Sequence, residues 1–349
     1  MSYSDHLLIL FEGGLDSKEM ISEYFRGLSE RYLNEVALYY SRAKIHVECG
    51  LYMMTADDDF IYAQDNARYA RRSIQGSYTT TVAWYSEELR RESVKEASII
   101  PNFEHAMAED EIRIYLQPKY SVRDQKIIGA EALSRFYDEQ GEVLSPALYV
   151  PVLEQAGIVS RLDFEVMRKS VELLSKLKEE GKSLFPISVN LSRIDLMEEG
   201  FLERLDELVE TSGVEREYIE FELTETVLVK DLDEIIAKLT ALRNRGYRIA
   251  LDDFGSGYNS LYVLGQVPAN VIKFDRGFVL HSIQNEMGMT ILSNLVQTFK
   301  EIQFEVLCEG VETEAEKEKI VSCGCEVIQG YLYDRPMDVG AFEAKYIYA

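Results

Sequence analysis

The 349-residue sequence has no apolar run close to the roughly 20 residues that span a bilayer. Its N-terminus has only a short apolar segment, without the basic region and small-residue cleavage site of a signal peptide. The four cysteines (Cys49, Cys308, Cys323 and Cys325) are too few for a disulfide framework, and no second close pair completes a zinc site. These absences predict reduced thiols in a soluble, cytoplasmic protein without a membrane segment.

Positive charge is also scarce, with 37 Lys and Arg against 61 Asp and Glu and a formal net charge of −24. Binding to long nucleic acid needs clustered basic side chains, so this balance argues against it. A small anionic substrate remains compatible, because carboxylates can hold divalent cations that contact a phosphate. The alternative is that the acids only keep the surface soluble.

Residues 1–85 predict a small N-terminal α/β domain. The stretches "HLLILFEGG", "KIHVECGLYMM" and "SYTTTVAWY" are typical of strands, and "DSKEMISEYFRGLSERYL" and "FIYAQDNARYARRSI" are typical of helices. A charged amphipathic stretch over 86–105 predicts a helical connector to a larger domain at 106–349.

The larger domain alternates short β-rich runs with amphipathic helices, which predicts parallel βαβ units. About eight strands in about 240 residues favour a closed (β/α)8 TIM-like barrel over an open sheet. The first two strands, "IRIYLQPKYSV" and "KIIGAEALSRF", have no helix between them, so we expect an irregular opening to the barrel.

Polar residues stand at or near the C-terminal ends of seven successive strands. They are Glu131, Asn190, Glu222, Asp252, Lys273, Glu309 and Gln329. The ends of barrel strands converge on one mouth, so these side chains are expected to form one site, although each alone could be an ordinary strand-end residue. Carboxylates and an amide, without a ligating His or Cys, suit Mg²⁺ or Mn²⁺.

Two of these acids are adjacent, in "IALDDFGSGYNSL". Neighbouring carboxylates repel each other, and cations at the mouth would neutralise both Asp252 and Asp253. Neighbours on an ideal strand point to opposite faces, so we expect Asp253 where the strand gives way to a loop. Gly255 and Gly257 would give that loop the freedom to close over the site.

Seven segments, in this order, resemble the signature set of the EAL family of cyclic di-GMP phosphodiesterases: "EALSRF", "VNLS", "ELTE", "DDFGSGYNSL", "IKFD", "EGVET" and "QGYLYDRP". The resemblance runs from about Phe103 to the C-terminus. It implies hydrolysis of one phosphodiester of cyclic di-GMP to linear 5′-pGpG, with two Mg²⁺ or Mn²⁺ ions about 3.5–4 Å apart. It also makes a homodimer through the barrel an expectation.

The resemblance implies roles for individual residues. The implied metal ligands are Glu131, Asn190, Glu222, Asp252, Asp253 and Glu309. The implied substrate contacts are Gln117, Leu133, Arg135 and Gln329, and Glu225 would brace the loop after the two aspartates. The implied catalytic residues are Lys273, Glu309 and Glu131.

Two of these roles have simpler alternatives. Lys273 would act as general base or orient the water, since burial or nearby cations lower a lysine pKa; the alternative is a salt bridge with Asp275. Arg135 offers a fork for a phosphate oxygen pair, and the alternative is an ion pair with Glu139.

The N-terminal region resembles the C-terminal half of a degenerate diguanylate cyclase (GGDEF-type) domain, with "SYSDH" at the signature position. Only Asp5 keeps its acidic character, both glycines are absent, and the nucleotide-binding half is missing. We therefore expect no cyclase activity. The competing interpretation is an unrelated α/β regulatory unit, and one reading of the whole chain is a fragment whose Met1 was introduced for expression.

Three functions are open: an active phosphodiesterase, a catalytically silent cyclic di-GMP receptor, and a partner-binding scaffold. Silent receptors of the family usually lose a ligand or the loop motif, and this sequence keeps them. A scaffold would leave the pair Asp252–Asp253 and Lys273 unexplained. The enzyme is the expected function.

Overall fold

The computed structural model describes residues 7–12, 17–39, 45–74, 81–138, 140–224, 227–228, 231–256 and 264–348. The chain forms two compact units, Met1–Pro101 and Asn102–Ala349. Within the described helices, none is both long and apolar enough to cross a membrane.

The first unit contains two strands and their helices. In chain order these are α1 (Lys18–Tyr39), β1 (Cys49–Leu51), α2 (Phe60–Arg72), β2 (Val82–Trp84) and the start of α3 (Glu87–Ala108). The two strands pair in parallel. Helix α2 begins where the Asp59 carboxylate accepts a hydrogen bond from the Tyr62 backbone N–H, which satisfies one of the free donors of the first turn.

The predicted strand "HLLILFEGG" is wrong for its described part. Residues 7–12 have no regular secondary structure and are exposed, with Leu7 85% accessible. An apolar run becomes a strand only when another strand satisfies its backbone groups. The two-stranded sheet of this unit consists of β1 and β2 alone among the described residues.

The second unit is a closed barrel of eight strands. They are β3 (Arg113–Ser121), β4 (Lys126–Arg135), β5 (Ile187–Asn190), β6 (Ile219–Thr224), β7 (Arg248–Phe254), β8 (Val271–Phe274), β9 (Glu305–Cys308) and β10 (Val327–Ile328). Strands β4 to β10 pair in parallel with their neighbours, and β10 closes the barrel on β3. Strand β3 runs antiparallel to both β4 and β10, which confirms the predicted barrel with an irregular opening.

Helices surround the barrel, and a short strand, β11 (Met337–Asp338), pairs with β3. The helices are α4 (Pro146–Gln155), α5 (Val159–Glu179), α6 (Arg193–Met197), α7 (Phe201–Ser212), α8 (Leu232–Arg245), α9 (Arg276–Ser282), α10 (Glu286–Glu301), α11 (Glu314–Ser322) and α12 (Val339–Tyr346). Leu162, Val166 and Leu177 of α5 recur at helical spacing and are buried. Burial of such apolar stripes supplies most of the stability of a surface helix.

Candidate active site

Polar side chains from several barrel strands, or from the residues that follow them, meet at one end of the barrel. Ala250, Val271 and Leu307 form an apolar cluster, with Val327 packed against it. Strand side chains alternate between the two faces of a sheet, so residues two positions further along point the same way. Two positions after these four cluster residues stand Asp252, Lys273, Glu309 and Gln329. Glu131, Glu222 and Gln117 contact members of this set at the same mouth.

Lys273 lies at the centre of this group and is fully buried. Its Nζ is 2.7 Å from Glu309 Oε1, 3.1 Å from Asp252 Oδ1 and 3.6 Å from Glu131 Oε2. It also donates a hydrogen bond to Glu222 Oε2. The four acids come from β4, β6, β7 and the end of β9, so Lys273 ties four strands together across the mouth.

The neighbouring carboxylates determine the pKa of Lys273 in the structure. Burial alone would lower the pKa of Lys273, but the four carboxylates raise it well above its ordinary value. In this arrangement Lys273 is an ammonium that donates hydrogen bonds. The lowering of its pKa beside bound cations stays a prediction. Asp275, the alternative salt-bridge partner, instead caps α9 by accepting a hydrogen bond from Phe278 N at 3.0 Å.

The buried acids around Lys273 repel one another, and three of them have raised pKa values. Burial raises the pKa of Glu309 to about 8 and raises the pKa values of Glu131 and Asp252 as well. Burial acts on Glu222 in the same direction, but Lys119 and Lys273 lower its pKa to about 2. A bound cation would relieve the remaining repulsion and favour the ionised acids.

The two adjacent aspartates reach the site through a break in the strand ladder. Strand β7 extends to Phe254, but its register with β8 shifts between Leu251 and Phe254. Asp253 has φ of 56°, in the left-handed region, and its N–H donates to Asp252 Oδ1 at 2.8 Å. This bulge lets neighbouring residues serve one site. The sequence predicts Asp253 where the strand gives way to a loop. In the structure Asp253 lies within β7, at this bulge.

Gly255, which follows the bulge, is required by its surroundings. Its φ is +98°, and a Cβ there would lie 2.6 Å from Phe278 Cγ. The glycine therefore permits both the left-handed backbone and the close approach of Phe278. Gly257 and the loop residues after it lie outside the described residues, so the predicted closing loop remains a prediction.

Two glutamines and a cavity adjoin the acids. Gln329 Nε2 donates to Glu131 Oε2 at 2.5 Å and to Gln117 Oε1 at 3.2 Å. Gln329 Oε1 is buried without a hydrogen-bond partner among the described residues. A cavity of about 390 Å³ opens here, lined by Gln117, Glu131, Leu133, Asp252, Asp275, Arg276, Glu309, Gly310, Glu312, Gln329, Gly330 and Tyr331. Three of the four implied substrate contacts therefore line one cavity.

The remaining implied residues lie elsewhere or outside the description. Asn190 is exposed at the end of β5, opposite Glu222 in the strand register. Arg135 donates to the Ser134 carbonyl at 2.6 Å, and its guanidinium lies 5.4 Å from the centre of the Tyr115 ring. Glu225, the implied loop brace, and Glu139, the alternative partner of Arg135, are outside the described residues.

Sequence reasoning missed two basic residues at the site. Lys119 is buried and binds Glu222, and Arg276 lines the cavity while donating to the Gly310 carbonyl at 2.8 Å. Lys119 could have been found, because it lies two residues from Gln117 on the same strand and so shares its face. The position of Arg276 depends on how α9 packs, which a local pattern does not show.

The donor set fits a divalent cation. Asp252, Asp253 and Glu309 each offer a carboxylate oxygen, and these oxygens all lie within 4.8 Å of one another. Oxygen donors of this kind suit Mg²⁺ or Mn²⁺ better than the softer metals that prefer thiolates. The excess of buried negative charge around Lys273 points the same way.

Comparison with known protein families decides the classification. The sequence model of the EAL domain matches residues 101–336. This chain belongs to the EAL family. The match covers the barrel and all the mouth residues, so the EAL barrel carries the candidate site.

Two curated relatives of the EAL barrel come from Pseudomonas aeruginosa. The chain is 27% identical over 278 residues to the cyclic di-GMP phosphodiesterase NbdA. This alignment covers 80% of this chain and 36% of NbdA. It is 26% identical over 285 residues to the bifunctional diguanylate cyclase/cyclic di-GMP phosphodiesterase MucR, covering 82% of this chain and 40% of MucR. The chain thus spans less than half the length of these relatives.

Solved structures show the same fold. The MucR phosphodiesterase in its c-di-GMP complex aligns with a TM-score of 0.65 and 28% identity, over 70% of this chain and 99% of that one. The EAL domain of FimX from Pseudomonas aeruginosa, bound to c-di-GMP, aligns with a TM-score of 0.63 and 23% identity. The alignment covers 68% of this chain and 96% of the FimX chain. The second likeness supports the fold alone.

Proposed function

We propose that this chain hydrolyses one phosphodiester of cyclic di-GMP to linear 5′-pGpG, with two divalent cations, Mg²⁺ or Mn²⁺, at the barrel mouth. The observation that carries the proposal is the cluster of acids around Lys273, which lies beside a cavity lined by Gln117 and Gln329. Membership of the EAL family and the names of its relatives supply the substrate.

Six residues would hold the cations: Glu131, Asn190, Glu222, Asp252, Asp253 and Glu309. When bound, such cations lower the pKa of a water and stabilise the attacking and leaving oxygens. The chain would supply the ligand set, and Lys273 contacts four of these acids at the mouth.

Lys273 would orient the attacking water in this proposal. As an ammonium it has protons to donate and no free lone pair, so it can hold a water oxygen but cannot accept a proton.

The cavity would hold the substrate against the acids. Gln117 and Gln329 offer amide groups, and Leu133 offers an apolar contact at the cavity wall. The buried Gln329 Oε1 lacks a partner among the described residues and would accept a hydrogen bond from the substrate. Arg135 donates from Nη1 to the Ser134 carbonyl, and its other N–H groups would be the donors to a phosphate.

Incubation of the purified chain with cyclic di-GMP and Mg²⁺ or Mn²⁺, followed by chromatography, tests the proposal. Linear pGpG is the expected product. Intact substrate with both metals, together with tight binding of cyclic di-GMP, would contradict the enzyme and favour the silent receptor. Absence of both turnover and binding would favour the scaffold.

The Glu131→Ala variant tests the site assignment. It removes one acid beside Lys273 and the acceptor of the Gln329 hydrogen bond, so turnover should be lost. Glu199→Ala removes an exposed acid on the same barrel and should leave turnover at the parent rate. Parent-rate turnover by Glu131→Ala would refute the assignment.

For the N-terminal region, we propose a regulatory or structural role without cyclase activity, in a chain organised as 1–85, 86–105 and 106–349. The "SYSDH" stretch that carries the cyclase resemblance lies outside the described residues. Incubation with GTP and Mg²⁺ should give no cyclic di-GMP. For the barrel, a homodimer is proposed, and sedimentation of the chain at rising concentration would detect it.

A further inference from the structure

A second group of charges extends from the buried Lys119 and Glu220 to the partly exposed Arg248 and the exposed Glu305. Lys119 Nζ is 2.7 Å from Glu220 Oε1, and Arg248 Nε is 3.0 Å from Glu220 Oε2. Arg248 also pairs with Glu305 at 2.7 Å. Lys119 and Glu220 are only 6% and 3% exposed. The interior of such a barrel is usually filled by bulky aliphatic side chains, so buried ion pairs here require a reason.

Lys119 joins this second group to the mouth. Its Nζ is 2.8 Å from Glu222 Oε1, while Lys273 donates to the other oxygen, Oε2, of the same carboxylate. Glu220 and Glu222 are two residues apart on β6 and face the same way, and the Lys119 ammonium lies between their carboxylates. Each oxygen of Glu222 therefore has its own lysine.

Lys119 supplies charge, because Glu222 shares Lys273 with Glu131, Asp252 and Glu309. Its placement supplies geometry as well. Lys119 and Lys273 hydrogen-bond opposite oxygens of the Glu222 carboxylate, and together these two bonds fix the plane of that carboxylate.

We infer that Lys119 is a positioning residue for Glu222, holding Oε1 towards the second group so that Oε2 faces the cation site. This inference rests on the proposed metal-dependent function, since it gives Glu222 the part of a ligand. Groups that hydrogen-bond a ligand from behind orient it, and their loss typically weakens metal affinity or activity about 10–100-fold.

Binding of Mn²⁺ to the full chain, followed through the EPR signal of free Mn²⁺, tests this inference. Lys119→Met keeps length and burial but removes both hydrogen bonds, and should weaken Mn²⁺ binding about 10–100-fold. Glu220→Gln is the matched control, because its amide oxygen still accepts from Lys119 and the Lys119–Glu222 contact remains. Its Mn²⁺ affinity should stay close to that of the parent.

The two variants separate positioning from charge. If Lys119 acted only through its charge, Lys119→Met would make the mouth more negative and tighten Mn²⁺ binding. Glu220→Gln would then weaken it. Tighter or unchanged binding by Lys119→Met, or equal weakening by both variants, would overturn the inference.

A double variant guards against misfolding. Lys119→Met with Glu220→Gln removes one buried charge of each sign and leaves the Arg248–Glu305 and Lys273–Glu222 pairs in place. It should bind Mn²⁺ as weakly as Lys119→Met, and parent-like binding would overturn the inference. Failure of the parent chain to bind Mn²⁺ would also overturn it. Hydrolysis of cyclic di-GMP is measured separately, so a parent that binds Mn²⁺ without turnover refutes only the proposed function.

Discussion

Replacing Lys273 with methionine is the sharpest test of how the mouth is held together. The side chain is fully buried, and its Nζ contacts Glu131, Glu222, Asp252 and Glu309. Methionine fills a similar volume but carries no charge. The variant therefore leaves four buried carboxylates facing one another without the ammonium.

The size of the effect follows from these contacts. Removing one partner of a buried ion pair costs about 3–5 kcal/mol, because the other partner stays buried and unpaired. Protonation limits the loss, since burial already raises the pKa of Glu309 to about 8 and a second acid can take up a proton. For a unit of this size, each kcal/mol lowers the melting temperature by about 2–4 °C, so a fall on the order of 10 °C is expected.

Thermal unfolding of metal-free protein, followed by circular dichroism, provides the assay. Lys126→Met is the matched control, because it makes the same chemical change at an exposed position of β4. Mn²⁺ should raise the melting temperature of Lys273→Met more than that of the parent, because the cation replaces the missing positive charge. Acid should also narrow the gap between the two proteins, since protonated carboxyls no longer repel.

Two results would refute this reasoning. One is a melting temperature for metal-free Lys273→Met equal to that of Lys126→Met. The other is an equal Mn²⁺ response in parent and variant. Either would mean that the acids do not depend on Lys273 in the folded protein.

Two further predictions concern backbone strain and pH. Gly255→Ala should lower stability and turnover well beyond Gly141→Ala, because both glycines have positive φ but only the Cβ at 255 meets Phe278; equal losses in thermal melts would contradict this. The strain alone costs about 1–2 kcal/mol. Burial and Asp195 raise the pKa of Asp163 well above its ordinary value, so the folded state binds an extra proton between the two pKa values. The contribution of Asp163 to the free energy of unfolding therefore falls as pH rises between these two pKa values. Asp163→Asn should make the melting temperature decline less steeply with pH. An unchanged slope would contradict this prediction.

The sequence predicts the barrel and most of its mouth because both follow from two simple regularities. Strands that alternate with helices pair in parallel, so their C-terminal ends meet. Side chains then alternate along each strand, so residues far apart in the chain meet on one face. Gln329 Nε2 and Glu131 Oε2, for example, are 2.5 Å apart. Neither regularity requires knowledge of individual contacts.

The position of Asp253 could not be derived in that way. Strict alternation would turn it away from Asp252, and only a bulge with φ of 56° keeps both on one site. Gly255, two residues later, lies close to Phe278, and that contact depends on how α9 packs. The pattern of adjacent aspartates suggests a site but does not contain its geometry.

Electrostatic outcomes were harder still to predict. The pKa of a buried lysine falls in an apolar pocket and rises among carboxylates, and only distances decide which effect is larger. For Lys273, three ion-pair distances of 2.7–3.6 Å and the hydrogen bond to Glu222 decide in favour of the rise. Lys119 shares the face of Gln117, but its ion pairs with Glu220 and Glu222 depend on distances that the alternation does not give.

The lysine and the proposed cations depend on the same oxygens. Glu131, Glu222, Asp252 and Glu309 are implied metal ligands, and all four contact Lys273. An oxygen that turns to a cation gives up part of its attraction to the ammonium, so the two sources of positive charge partly substitute for each other. The same overlap makes Mn²⁺ stabilise the parent less than Lys273→Met, because in the parent the cation displaces an interaction that already exists.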